Sequence, residues 1–163
     1  MKKDIVDTKN ELIEGFVDSL YYQIKLTEKC AKMLAKQLEE NLSMEITLDE
    51  LTALATIKQY NGEIHQRDLA KMILKDRSNT GRMLNNLEKR ELIKRVEKTK
   101  NKRQANIITV TEKGLVTISS LTKILKPMFD EVHQKMEEKE IEYLKNGLIK
   151  LRKVMKETIE IEI

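Results

Sequence analysis

Residues 74–110 read LKDRSNTGRMLNNLEKRELIKRVEKTKNKRQANIITV, and this stretch decides the fold. Asp76 precedes a run in which Met83, Leu84 and Leu87 recur at helical spacing. Its carboxylate is placed to take up free N–H groups of a first turn, and the helix it opens runs to about Arg90. Ahead of it, Gln66 to Ile73 makes a shorter amphipathic turn with Leu69, Ala70 and Ile73 inward, and the link Leu74-Lys75-Asp76 is tight. Two helices joined this way predict a helix-turn-helix, whose second member is shaped to enter a major groove. After Leu92, the runs Ile93 to Glu97 and Ile107 to Val110 favour strands, with the polar, basic stretch Lys98 to Asn106 between them. The expectation is a two-stranded hairpin, a wing behind the helices.

Positive charge collects in the same place. From Lys58 to Gly114 there are fifteen Lys/Arg against seven Asp/Glu, a surplus of +8 in a chain whose formal net charge is +4, so the rest carries −4. That is the electrostatic footprint of nucleic-acid binding. The candidate contacts on the second helix are Arg77, Ser78, Asn79, Thr80, Arg82, Asn85 and Asn86, because Arg bonds bidentately to guanine, Asn to adenine, and small hydroxyls to phosphate or base. In the hairpin they are Lys100, Lys102 and Arg103, cations drawn to the negative potential of a narrow groove.

Further out, Thr47-Leu48-Asp49-Glu50 has the form of a capping box, and the helix it opens carries Leu51, Leu54, Ala55 and Ile57 before stopping at Asn61-Gly62. Ile13, Phe16, Val17, Leu20, Ile24, Ala31, Leu34 and Leu38 form one stripe, which predicts a single helix of about thirty residues. Beyond Gly114 a second stripe runs through Pro127, where a backbone bond must be lost and the helix bent. A third, Ile141 to Ile159, begins after the polar break Glu137 to Glu140. A small winged helix cannot cover all three, so these helices are expected to bury one another across a two-fold axis. The expected organisation is an N-terminal dimerisation helix over 1–46, a winged helix-turn-helix over 47–114 and C-terminal dimerisation helices over 115–163, in a mainly α fold.

Composition removes other classes. Of 163 residues 40% are hydrophobic and 36% charged, with five Gly and one Pro, a balance that fits a helix-rich globular chain. No apolar run is long enough to span a membrane and Met1-Lys2-Lys3-Asp4 opens no signal peptide, so the cytoplasm is the expected location and a membrane partner is not. The single cysteine, Cys30, excludes an internal disulfide and a Cys-based zinc site. Two distant histidines, no Gly-rich phosphate loop and no nucleophile motif leave an enzyme without support, and no cofactor is expected. His133 and Glu137 share a helix face, but two ligands are too few for a metal. His65 stands where local structure or a phosphate contact is expected.

The order of short stretches resembles the MarR family of bacterial winged-helix regulators. The matching residues are Leu69-Ala70, Asp76-Arg77-Ser78-Asn79, Asn86-Leu87-Glu88-Lys89-Arg90, Leu92-Ile93-Lys94-Arg95, Lys102-Arg103-Gln104-Ala105 and Thr111-Glu112-Lys113-Gly114. The resemblance implies an obligate homodimer that binds a pseudo-palindromic operator in double-stranded DNA and usually represses. Three positions depart from the family's pattern. Gly81 stands where threonine is common, explicable by close approach to DNA; Glu91 replaces the glycine that ends the recognition helix; Asn101 replaces a wing aspartate that pairs with the arginine matching Arg103. An effector cleft is expected where the N-terminal helix and the helix after Gly114 meet the DNA-binding lobe, lined by Tyr21, Tyr22, Ile24, Met44, Leu51 and Leu54 and suited to a small aromatic or amphipathic ligand. Two alternatives stay open. One is a thiol- or peroxide-responsive regulator acting through Cys30, whose place along its helix favours a buried, inert residue instead. The other is a helical protein-interaction module without specific DNA sites.

Overall fold

The computed structural model describes residues 13–41, 44–60, 64–100 and 103–158, with the backbone alone for 97–100 and 103–106. Its elements are α1 (Leu20–Asn41), α2 (Leu48–Gln59), β1 (Ile64–His65), α3 (Gln66–Met72), α4 (Arg77–Lys89), β2 (Ile93–Lys100), β3 (Arg103–Val110), α5 (Glu112–Lys135) and α6 (Glu138–Thr158). They divide into two compact units, which meet in sequence between Leu48 and Asp49.

In the first unit the expected single long helix is interrupted. Residues 13–17 are helical, a break follows at Asp18 and Ser19, and α1 then begins. Ser19 causes the restart: its hydroxyl donates to the Phe16 carbonyl at 2.6 Å and accepts from the Tyr22 amide at 3.2 Å. A serine competes with the backbone for local bonds and so favours a helix start over a helix interior. Near the end of this unit, Glu39 Oε1 accepts from the Leu48 amide at 2.7 Å. No residue of α1 is buried.

The second unit is built around one core. Ala53, Leu54 and Ile57 of α2, Leu69 and Ala70 of α3, Thr80, Met83, Leu84 and Leu87 of α4, and Ile93, Ile107 and Ile108 of the sheet are all buried, with Ile118 and Leu125 of α5. The sheet has three strands in the order β1-β3-β2, all antiparallel, where the sequence predicts two. The added strand is only Ile64 and His65, paired with Ile108 and Ile107, too short to leave a periodic signal. The hairpin strands also outrun expectation. Their register continues from Ile93↔Val110 to Lys100↔Arg103, so most of the basic stretch read as a loop is strand. Asn101, Lys102 and the signal Asn61-Gly62 lie outside the described residues.

Two left-handed residues shape this unit. Leu74 (φ 55°) closes α3 while the Lys75 amide bonds back to the Ala70 carbonyl at 3.0 Å, and this reversal is the turn of the helix-turn-helix. Glu91 (φ 60°) closes α4: its amide reaches the Glu88 carbonyl and the Leu92 amide reaches Leu87, both at 2.9 Å. That is a Schellman close, with buried Leu87 and Leu92 supplying its apolar contact. The left-handed cap is thus kept although glycine is absent. Thr111 then ties this turn to α5, donating to the Glu91 carbonyl at 2.6 Å and accepting from the Gly114 amide at 3.1 Å. α5 runs on through Pro127, and α6 starts afresh where the Glu137 amide donates to Glu140 Oε2 at 2.8 Å.

Candidate nucleic-acid interface

α4 carries the candidate contacts, and its start is fixed by Asp76. The aspartate is extended (φ −62°, ψ 158°) and its Oδ1 accepts from the Asn79 amide at 2.8 Å, an N-cap that satisfies one of the free donors of the first turn. Its other carboxylate oxygen accepts from the Asn79 side-chain amide. These bonds, backbone first and side chain second, hold the Asp76 carboxyl below its ordinary value. The buried stripe Thr80, Met83, Leu84, Leu87 falls at helical spacing, and it leaves Arg77, Ser78, Asn79, Arg82, Asn85 and Asn86 on exposed surface.

Exposure does not make these residues equivalent. Asn79 Oδ1 accepts from Arg82 Nη2 at 2.7 Å. Asn85 Oδ1 accepts from Arg95 Nη2 at 2.8 Å, while the Arg95 guanidinium also pairs with Glu88 at 3.3 Å. Since Arg95 lies on β2, it fastens the base of the wing to the recognition helix. Asn86 Nδ2 donates to Glu50 Oε1 at 2.8 Å, and Arg90 reaches the same carboxylate at 3.6 Å. Glu50 is 7% exposed, so this is a brace between α4 and α2. Asn86, though exposed, is thus tied to that brace through its amide.

Thr80 is a correction. Counted among the contacts on polarity, it is 0% exposed, and its hydroxyl bonds the Lys75 carbonyl at 3.4 Å inside the helix-turn-helix. At Gly81 a Cβ would come within 3.2 Å of Gln66 Nε2, the far end of a flexible side chain on α3. His65 takes the N-cap position of α3 with no side-chain cap bond to the helix. The side chain of Lys102 lies outside the described residues, as do those of Lys100 and Arg103, whose backbones pair across the hairpin.

The remaining candidates separate by unit. Tyr21, Tyr22, Ile24 and Met44 belong to the first, where Tyr21 is exposed and the others half-buried. Phe16 packs edge-on against Tyr22 with ring centroids 5.5 Å apart, an aromatic cluster not counted in the sequence reading. Leu51 and Leu54 belong to the second unit, and Leu54, at 0% exposed, is a core residue with no surface for a ligand. Cys30, expected to be buried, is exposed. Among the described residues no three His, Cys, Asp or Glu gather as a metal site, and no helix is long and apolar enough to cross a membrane.

Sequence reasoning gave Glu50 only a capping role because its partner Asn86 lies 36 residues on, and it missed Arg95 because its partners Asn85 and Glu88 lie in a different element. It also missed the Asp76 to Arg82 chain of bonds, although the three-residue spacing of 76, 79 and 82 signals side chains on one face.

Residues 46–105 match the model of the MarR family. No curated protein sequence matches the chain. Among solved structures, the transcriptional regulator SlyA superposes with a TM-score of 0.69 at 24% identity, over 86% of this chain and 96% of that one. A complex of S. aureus MepR with DNA gives 0.67 at 22% identity, over 84% and 98%. A mutant of MarR from E. coli gives 0.62 at 20% identity, over 82% and 96%. Identities this low speak for the fold, while the family model speaks for the segment that holds the helix-turn-helix and most of the wing. The helix-turn-helix and most of the wing are thus similar to those of the MarR family.

Proposed function

We propose that the chain is a sequence-specific DNA-binding transcription regulator that works as a homodimer, a repressor released by a small molecule. The observation that carries this reading is α4: a capped helix presenting Arg77, Ser78, Asn79 and Arg82 on exposed surface, inside a segment with a surplus of +8. Its N-terminal turn suits base edges, and the wing cations suit phosphates or a narrow groove. A protein of the same fold, MepR of S. aureus, has been solved with DNA.

Dimerisation is supported by what the chain leaves uncovered. No residue of α1 or α6 is buried, yet Leu20, Tyr21, Met33, Leu34, Tyr143, Leu144, Leu148 and Val154 are large apolar groups at 40% exposure or more. Contiguous apolar helix faces of this kind mark association surfaces. The segments 1–46 and 115–163 are thus proposed as dimerisation elements. For the releasing ligand, the cluster of exposed Phe16 and Tyr21 with half-buried Tyr22 favours an aromatic or amphipathic molecule. The exposed Cys30 keeps a thiol response as the second reading.

The test is sedimentation of the full chain alone and with genomic duplex fragments at rising salt. A dimer whose affinity falls by roughly 10³ or more between 50 and 200 mM salt is expected from several phosphate contacts. A monomer, or binding indifferent to salt, contradicts the reading. Peroxide that releases DNA from the wild type and not from Cys30→Ser favours the thiol reading over the ligand.

A further inference from the structure

Asp76, Asn79 and Arg82 follow one another at three-residue steps on the exposed face of α4, and their side chains form a continuous chain of hydrogen bonds. The Asn79 side-chain amide donates to Asp76, and its oxygen accepts from Arg82 Nη2 at 2.7 Å. A carboxylate can only accept and a guanidinium can only donate, so the neighbours dictate which way the Asn79 amide points. One of its two N–H groups and one lone pair of its oxygen, the kinds of group an asparagine uses to read adenine, are engaged within the helix, which fixes the plane of the amide. Arg82 spends one N–H on Asn79 and keeps the rest, enough for guanine O6 and N7.

Resting on the DNA-binding reading above, we propose that Arg82 is the base-reading residue of this turn, and that Asp76 and Asn79 are positioning residues that hold its guanidinium ready for a guanine. The relay does its work before DNA arrives. A free arginine surrenders rotamer freedom when it docks, whereas one already held by Asn79 has surrendered part of it in the unbound protein. Asp76 acts twice, capping the helix through one oxygen and orienting Asn79 through the other.

These two roles of Asp76 separate experimentally. In Asp76→Asn the introduced amide still caps, since asparagine and aspartate cap equally well. Its second atom, however, is now a donor facing the donor of Asn79. The Asn79 amide must rotate, which puts its NH2 group against Arg82 and removes the acceptor.

The experiment selects sequences from a randomised duplex library with the full chain, for wild type, Arg82→Ala, Asn79→Ala, Asp76→Asn and the double variant Asn79→Ala/Arg82→Ala. Wild type is expected to select a guanine whose replacement costs about 5- to 150-fold in affinity. Arg82→Ala removes the preference at that pair. Asn79→Ala and Asp76→Asn weaken it at the same pair by roughly two- to tenfold, the cost of ordering one long side chain. Preferences elsewhere stay within about twofold, and the double variant is no worse than Arg82→Ala alone, because the two residues act as one unit. Circular dichroism of Asp76→Asn matches wild type. A wild-type motif with Asn79→Ala relaxing a different base pair, or with Asp76→Asn indistinguishable from wild type, overturns the relay and leaves DNA binding standing. Failure of wild type to select any motif overturns the DNA-binding reading together with the relay.

Discussion

Glu91 sits at φ 60°, a conformation that L side chains enter at a cost of about 1–2 kcal/mol and glycine enters freely. Glu91→Gly is therefore expected to stabilise the fold by roughly 0.5–1 kcal/mol, less than the full strain because glycine also loosens the unfolded chain. Gly114 has the opposite requirement. A Cβ there would lie 2.2 Å from the Leu92 carbonyl oxygen and 2.6 Å from Val110 Cγ1, so Gly114→Ala must push α5 off the wing base. Overpacking of this kind costs about 1–3 kcal/mol, and thermal unfolding of both variants against wild type checks the opposite signs. Asp76 supplies a pH dependence. Its carboxyl is held below the ordinary value of 3.8 by the Asn79 amides, so its contribution is present above that value and is lost as pH falls through the lower folded one. Below about pH 4, the melting temperature of wild type should fall more steeply than that of Asp76→Ser, whose cap does not titrate; parallel slopes would show the carboxylate to be idle. The Asp76 cap was legible in the sequence because it is a local pattern. Thr80 was misjudged on polarity, although its place three, four and seven residues before Met83, Leu84 and Leu87 already puts it on the buried stripe.

Helices α3 and α4, with their ends, and the outer ends of the two hairpin strands were legible from local pattern, and the inner ends of those strands were not. Strand limits depend on backbone pairing, which the basic residues of the wing neither favour nor forbid, so the hairpin extends to Lys100↔Arg103 where composition suggested a loop. β1 was hidden for the related reason that its partner, β3, lies far along the chain. The long N-terminal stripe kept its apolar spacing across Ser19 while the backbone restarted there, since spacing reports which face is apolar and not whether the hydrogen-bond ladder continues. The wing and the recognition helix behave as one element through Arg95, which bonds Asn85 and pairs with Glu88. Arg95→Ala should consequently loosen the wing relative to α4, lowering affinity for all duplexes alike. Amide exchange at the paired residues 93–96 and 107–110 is expected to accelerate with it, and unchanged exchange would mean that the sheet alone holds the wing in place.

The +8 surplus lies in 58–114, and among the described residues most of the exposed large apolar side chains lie outside that segment, in the N-terminal helices and on α5 and α6. That separation suits a molecule that meets DNA through its middle and a second copy of itself through its termini. In the proposed dimer, two-fold symmetry turns a property of one helix into a property of the binding site, because two copies of α4 would have to reach successive major grooves on one side of the duplex. The most direct measurement is footprinting of the full chain on its selected duplex, followed by binding to the same duplex with about half a helical turn inserted at the centre. Two inverted half-sites about one turn apart, roughly 10 base pairs, with binding lost on insertion and restored by a full turn, are the expected result. A single unrepeated footprint, or affinity indifferent to the insertion, would contradict a dimer reading DNA through paired recognition helices.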